Sequence, residues 1–212
     1  MQKNLALIKN NISAYYAEKF NFYGDTPRGV DWNGKESQFL RFDQLCKVIG
    51  NFKKPFSLID FGCGYGALYE YLVNYSEEFT YTGVDISNEI LLCAKNKFGH
   101  IPGVKFSTTL NSADRVDFVV ASGVFNVRLG YDDDDWFNYV LLTLDSLNQS
   151  CIQGFSFNCL TIFSDVDKMQ PSLYYADPMR IFNHCKMHYS KNVALLHDYD
   201  LYEFTILVRK MA

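Results

Sequence analysis

Three glycines at alternate positions constrain this chain more than any other feature. They stand in the stretch SLIDFGCGYGALYEYL, residues 57–72, as Gly62, Gly64 and Gly66. An apolar run ending in Asp60 leads into them, and helical spacing begins at Ala67. Dense glycine between a strand and a helix marks a turn whose backbone approaches a partner more closely than side chains allow. The alternative is a turn packed tightly without any ligand. Either way the stretch demands a βα unit.

Around that unit, short apolar runs alternate with helical periods, and 212 residues suffice for one domain with a sizeable core. FTYTGVDI reads as a second strand, and SNEILLCAKNKFG as a helix opened by Ser87 as N-cap, with Glu89 nearby. VKFSTT is a third strand. RVDFVVAS, continuous and β-branched, is a fourth covered on both faces. DDDDWFNYVLLTLDSLNQ is a helix whose acids suit the free amides and dipole of a helix start. GFSFNCLTIF is a fifth strand, DPMRIFNHCKMHY a helix with Pro178 in its first turn, and NVALLHDYDLYEFTILVRK a hairpin split near residues 198–201. Alternating βα units predict a doubly wound α/β fold with a mostly parallel sheet, the hairpin adding one antiparallel strand.

Ahead of the sheet, Leu5, Ile8, Ile12, Tyr15 and Tyr16 mark one helical face. Residues 21–34 hold three glycines and Pro27, and so form a loop. A second helix carries Phe39, Phe42, Leu45, Val48 and Ile49, with Gly50 as its cap. Residues 1–50 therefore read as a helical lid or substrate segment on a core of residues 55–210, all within a single domain of residues 1–212.

With 24 acids against 20 Lys and Arg, the net charge of −4 gives no general pull toward nucleic acid. No stretch has transmembrane length, and the N-terminus lacks the apolar core of a signal peptide. Six cysteines without a CxxC pair point to a reducing compartment, the cytoplasm, rather than a disulfide framework. The surplus of 18 Phe and 15 Tyr fits a pocket or lid that stacks on flat ligands.

Two cofactor classes use a strand, glycine turn and helix in this order, and spacing alone admits both. Gly62, Gly64 and Ala67 satisfy the GxGxxA string of dinucleotide sites. Charge separates the classes. Asp60 stands two residues before Gly62, and the turn offers no Lys, Arg, Ser or Thr to a phosphate. A carboxylate there repels a pyrophosphate and attracts an ammonium or sulfonium. Asp85 ends the second strand, 85 − 66 = 19 residues after Gly66, where a carboxylate can accept both ribose hydroxyls of either cofactor. Its other reading is a cap on the next helix, a role for which Ser87 is better placed.

On IDFGCGYG, GVDIS, FVVASGVFNV and the terminal hairpin, residues 55–210 resemble the class I S-adenosylmethionine-dependent methyltransferases. The resemblance implies a seven-stranded sheet with the last strand antiparallel and the cofactor across the carboxyl ends of the first strands. It implies that the turn of Gly62, Cys63, Gly64 and Gly66 wraps the methionyl part of S-adenosylmethionine. Asp60 would orient the amino end, directly or through water, Asp85 would hold the ribose, and Ile86 would lie against the adenine. The acid often found after the third strand is missing from FSTTLNSAD, so Thr109, Asn111, Asp114 or a backbone group must meet the adenine amino group. Ser122 and Gly123 match the methyl-transfer channel, with Phe125 and Asn126 beyond them on the substrate side. The product would be S-adenosylhomocysteine.

Methyl transfer is an in-line displacement in which alignment carries much of the catalysis, and a base is needed only for a protonated nucleophile. No Asn-Pro-Pro-Tyr-like string and no Pro-Cys pair follows the fourth strand, so a small-molecule O- or N-acceptor is expected. Trp32, with Tyr23, could close over the pocket. Arg41 could fork the methionyl carboxylate or form a surface ion pair. Tyr174 and Tyr175 are aromatic walls or anchors of a long loop. His197, near a strand end, is the candidate base, or else a structural histidine bonded to the hairpin backbone. His184 and His188 lie four apart, a spacing zinc can use, but no further ligand is spaced with them, so no metal is expected. A nicotinamide-linked oxidoreductase and an S-adenosylmethionine-binding protein without turnover remain the alternatives.

Overall fold

The computed structural model describes residues 2–50, 55–75, 78–110 and 115–210. Two helices come first, α1 (Gln2–Tyr23) and α2 (Lys35–Cys46), separated by a segment with a 3-10 turn at Pro27–Val30. Then follow β1 (Phe56–Phe61), α3 (Ala67–Leu72), β2 (Phe79–Val84), α4 (Asn88–Phe98), β3 (Val104–Ser107) and β4 (Val116–Ala121). The chain continues with α5 (Asp133–Ser150), β5 (Cys151–Thr161), β6 (Tyr175–Ala176), α6 (Pro178–His188), β7 (Asn192–Leu196) and β8 (Glu203–Arg209).

The sheet runs in the order β3-β2-β1-β4-β5-β8-β7. β1 pairs in parallel with both β2 and β4, and β8 alone runs against its neighbours β5 and β7. The eighth strand, absent from the sequence reading, is β6: two residues that pair with the end of β5 where the long loop returns. Two residues give no readable period, which is why it went unseen.

Side-chain alternation divides the core between the two faces of the sheet. Ile59, Val119 and Ala121 pack with Ile8, Ile12, Trp136, Val140 and Ile181, so α1, α5 and α6 cover one face. Leu58, Phe118 and Val120 pack with Phe42, Leu45, Leu68, Leu72 and Ile90, so α2, α3 and α4 cover the other. Helix starts follow the capping rules. Asp132 accepts the Asp135 amide at 2.8 Å, and Asp177 accepts the amides of Met179 and Arg180 ahead of Pro178.

Two boundaries and one cap differ from expectation. α1 continues to Tyr23, because the breaker is Gly24 and not the polar Asn21. α2 stops at Cys46, and Val48 and Ile49 belong to following turns that carry the chain to Gly50. Ser87 occupies the N-cap of α4, but its hydroxyl makes no cap bond and turns to Glu89 instead.

Candidate active site

At the carboxyl ends of β1 and β4 the strand order reverses, the place where open α/β sheets hold ligands. A cavity of about 600 Å³ opens there. Its floor is the β1–α3 turn and the ends of β2 and β4, and its far walls include Tyr16 on α1 and Trp32 in the segment before α2.

Two carboxylates face this cavity from the floor. Asp60, 2% exposed, accepts a 2.6 Å hydrogen bond from the Tyr81 hydroxyl. Burial pushes its pKa up to about 7; the Tyr81 bond opposes the shift and the neighbouring Asp85 charge adds to it. Asp85 accepts the Gly64 amide on one oxygen and the Ser87 amide on the other, both at 2.9 Å. Burial raises its pKa as well, against those two backbone bonds. Asp85 is half-buried and lines the cavity. Asp85 therefore ties the glycine turn to the residue that leads into α4, and its strand-end position lets it do so while still facing the cavity.

The glycines hold this geometry. Gly62 has φ +79°, and a Cβ on it would meet Val124 at 2.3 Å. The amides of Gly62 and Cys63 both donate to the Val84 carbonyl, which ties the turn to the end of β2. Cys63 and Gly64 line the cavity, the Cys63 thiol pushed up by burial. Gly66 is not among the lining residues; its Cα faces Phe98 of α4, so its work is packing. Ile86, Thr109, Ser122 and Gly123 line the cavity as well. The Ser122 hydroxyl is buried without a hydrogen-bond partner among the described residues. Asn111 and Asp114 lie outside the described residues.

Behind Gly123 a closed ring of contacts joins distant parts of the chain. The Gly123 amide donates to Asn158 on β5 at 2.7 Å. Asn158 donates to Glu203, the first residue of β8. Glu203 accepts the Arg41 Nε at 2.9 and 3.0 Å, and Arg41 also donates to the Ser37 carbonyl. The Arg41 guanidinium lies 4.1 Å over the Trp32 ring, and Trp32 covers Gly123, where a Cβ would sit 2.4 Å from the indole. Arg41 is therefore neither a surface ion pair nor a free fork for a ligand carboxylate. Its charge is spent on a buried partner 162 positions away.

Several expected site residues lie elsewhere. Phe125 is fully buried in the core, its carbonyl accepting the Trp136 indole N–H. The Asn126 side chain accepts the Leu160 amide, so it fastens the loop after β4 to β5. Tyr174 packs near Trp136 in the core, and the Tyr175 hydroxyl accepts the Gln170 amide. Both anchor the long loop rather than wall the cavity. His197, exposed just past β7, sits beside Phe163 and Phe204, away from the cavity lining. The His184 and His188 rings lie 4.4 Å apart, tilted to one another, and among the described residues no group of three metal-ligating side chains forms.

The sequence reading missed Tyr81, Asn158, Glu203, Gln38 and the cavity-facing side of α1. Asn158 and Glu203 had a signal: each is polar within an otherwise apolar strand. Gln38, 2% exposed, accepts the Tyr65 hydroxyl at 3.1 Å at the cavity wall. Nothing in its local pattern announces that.

Known proteins resemble this chain at both levels. A family model described as a methyltransferase domain matches residues 59–146. The chain is 51% identical over 162 residues to "Putative methyltransferase Rv1506c" of Mycobacterium tuberculosis, covering 76% of this chain and 98% of that protein. Magnesium protoporphyrin IX methyltransferase from Synechocystis PCC 6803, solved with bound S-adenosylmethionine, superposes with a TM-score of 0.63 at 13% identity, over 98% of this chain and 97% of that one. The N-methyltransferase NodS from Bradyrhizobium japonicum WM9, solved with S-adenosylhomocysteine, gives a TM-score of 0.64 at 14% identity, over 93% and 97%. At these identities the two structures speak to the fold alone.

Proposed function

The chain belongs to the methyltransferase family, and we propose that it moves the methyl group of S-adenosylmethionine to a small-molecule acceptor. The observation that carries this reading is the pair of carboxylates, buried Asp60 and half-buried Asp85, facing one cavity at the glycine turn. The Asp85 charge adds to the proton affinity of Asp60, and two acids on one cavity floor form a site suited to a cation.

The residues present fit that group. Asp60 would receive the ammonium, and the remaining lone pairs of Asp85 would receive ribose hydroxyls. Ile86 and Thr109 would border the adenine, and the backbone of Ser122 and Gly123 the reacting end. Bound there, S-adenosylmethionine supplies an electrophilic methyl carbon: the acceptor's lone pair makes the new bond, and the pair of the broken S–C bond stays on sulfur. The protein's contribution is alignment and exclusion of water, with Trp32 closing over Gly123. A pyrophosphate would face Asp60 instead of a basic side chain, and the oxidoreductase alternative gives way to the family membership.

A cavity of about 600 Å³ lies in the range of about 300–1,000 Å³ typical of small-ligand sites. Together with the acidic net charge, it supports a small acceptor over nucleic acid. Among the described residues no helix is long and apolar enough to cross a membrane. All six cysteines are free, which supports residence in the reducing cytoplasm. We also read residues 1–212 as one domain, since α1 contributes Ile8 and Ile12 to the same core as β1 and β4.

The test is thermal stability with S-adenosylhomocysteine, S-adenosylmethionine, NAD and NADP in parallel, followed by turnover assays. A ligand bound only by the folded state raises the midpoint. The two adenosyl-sulfur ligands alone should do so. A rise with a nicotinamide nucleotide alone overturns the reading, and binding without turnover on any acceptor supports the inactive alternative.

A further inference from the structure

Resting on that reading, we propose that the side-chain amide of Gln38 receives the carboxylate at the amino-acid end of S-adenosylmethionine.

Gln38 lies in the first turn of α2, is 2% exposed and lines the cavity. Its carbonyl oxygen accepts the Tyr65 hydroxyl at 3.1 Å, and Tyr65 stands between Gly64 and Gly66. That bond ties the amide to the glycine turn and occupies its oxygen. The amide nitrogen has two N–H donors, and neither meets an acceptor among the described residues. Polar groups buried this deeply are ordinarily paired. Two unused donors on a cavity wall mark a place for an acceptor that arrives with a ligand.

The neighbouring side-chain donors are engaged or face another part of the cofactor. Tyr65 donates to Gln38 itself, and the Ser122 hydroxyl is buried. The Trp32 indole lies over Gly123, at the end assigned to the reacting groups. Arg41, three residues beyond Gln38 on α2, is held by Glu203. Gln38 is the donor that remains.

The cofactor carries its ammonium and its carboxylate on the same carbon. A group that receives the carboxylate must therefore share the glycine turn with Asp60, and Gln38 does so through Tyr65. A neutral amide also suits this place better than a cation. A lysine or arginine there would compete with the ammonium for Asp60, whereas an amide binds the carboxylate and leaves that charge free.

The experiment measures, by calorimetry on the whole protein, the affinities for S-adenosylhomocysteine and for its decarboxylated analogue, which keeps the ammonium and has hydrogen in place of the carboxylate. The unsubstituted protein should prefer S-adenosylhomocysteine by about tenfold, the worth of a hydrogen bond to a charged group. Gln38→Met keeps the length of the side chain without its donors and should bring the two ligands within about twofold of each other. Gln38→Glu should reverse the preference, since a further acid repels the carboxylate and attracts the ammonium. A merely structural role for Gln38 would weaken both ligands alike and leave their ratio unchanged. Equal binding of the two ligands by the unsubstituted protein, or a preference that survives Gln38→Met, overturns the proposal. Failure of the unsubstituted protein to bind S-adenosylhomocysteine would strike the cofactor assignment, while binding without a preference strikes only Gln38.

Discussion

Asp60 and Tyr81 share a 2.6 Å hydrogen bond beneath the glycine turn, phenol to carboxylate, with both residues buried. The bond opposes the effect of burial, which still holds the Asp60 pKa near 7, far above its usual 3.8. A carboxyl whose folded pKa is raised favours folding most when protonated. The ligand-free protein should therefore carry this contribution in full below about pH 4 and lose it as pH rises through about 7. Asp60→Asn should flatten that part of the stability profile and stabilise the ligand-free protein at pH 8. The same change should weaken S-adenosylmethionine by about tenfold or more, since a charge-assisted bond is lost. Denaturant midpoints from pH 5 to 9 and calorimetric titration of the ligand check both halves; an unchanged dissociation constant removes Asp60 from the site.

Asp85 has a double duty that alters what its removal does. Read as a ribose ligand alone, it could be changed to Ala with little loss of fold. Its two oxygens, however, accept the amides of Gly64 and Ser87. Asp85→Ala should thus lower stability by about 1–3 kcal/mol as well as ligand affinity, because two backbone donors lose their acceptor. Asp85→Asn, which keeps one acceptor oxygen, should recover part of the stability and little of the affinity. Equal stability of Asp85→Ala and the unsubstituted protein would show that water replaces the carboxylate.

His197 has no part in the chemistry proposed here. It is exposed and absent from the cavity lining, its ring lying beside Phe163. His197→Ala should leave kcat/KM within about twofold, as for other surface substitutions. A loss of several orders of magnitude would restore it as the base.

The local signals in the chain described the sheet and the glycine turn well. β1, β4 and the glycine turn are written in contiguous residues, with period, breaker and charge all within a dozen positions, and Asp60 and Asp85 follow from strand ends. What escaped was determined at long range. Arg41 was open between two partners because nothing near it identifies a third, Glu203, which only the pairing of β8 with β5 brings within reach. Tyr174 and Phe125 look like wall residues in a loop, and only their contacts with Trp136 on α5 reveal them as core. β6 exists because a loop returns to an unfilled edge of β5, which no two-residue string can announce.

Gly123 should be intolerant of a side chain for a reason specific to this chain. A Cβ there would sit 2.4 Å from the Trp32 ring, and the backbone has φ +71°. Gly123→Ala should displace the indole and cost about 1–3 kcal/mol, as overpacking does. Trp32 and Trp136 are the two tryptophans; in a Trp136→Phe background, fluorescence reports Trp32 alone. Its emission should shift to the red on Gly123→Ala. Unchanged emission would mean that Trp32 does not rest on the methyl-transfer loop.

The Arg41–Glu203 pair should behave as a buried ion pair and as the support for Trp32. Both side chains are nearly inaccessible, at 9% and 2% exposure. Removing one partner leaves an uncompensated buried charge, which costs about 3–5 kcal/mol. Arg41→Met and Glu203→Gln should each destabilise strongly, while the double variant should lose much less than the sum of the two. Arg41→Met should also release the indole, because the guanidinium 4.1 Å above it is what holds that ring from outside the cavity. Glu203→Gln keeps the guanidinium but frees it from its fork, so its effect on Trp32 emission should be smaller. Denaturant unfolding of the four proteins supplies the cycle. Additive losses would mean that Arg41 and Glu203 act independently, and the ring of contacts from Gly123 to Trp32 would then not act as one unit.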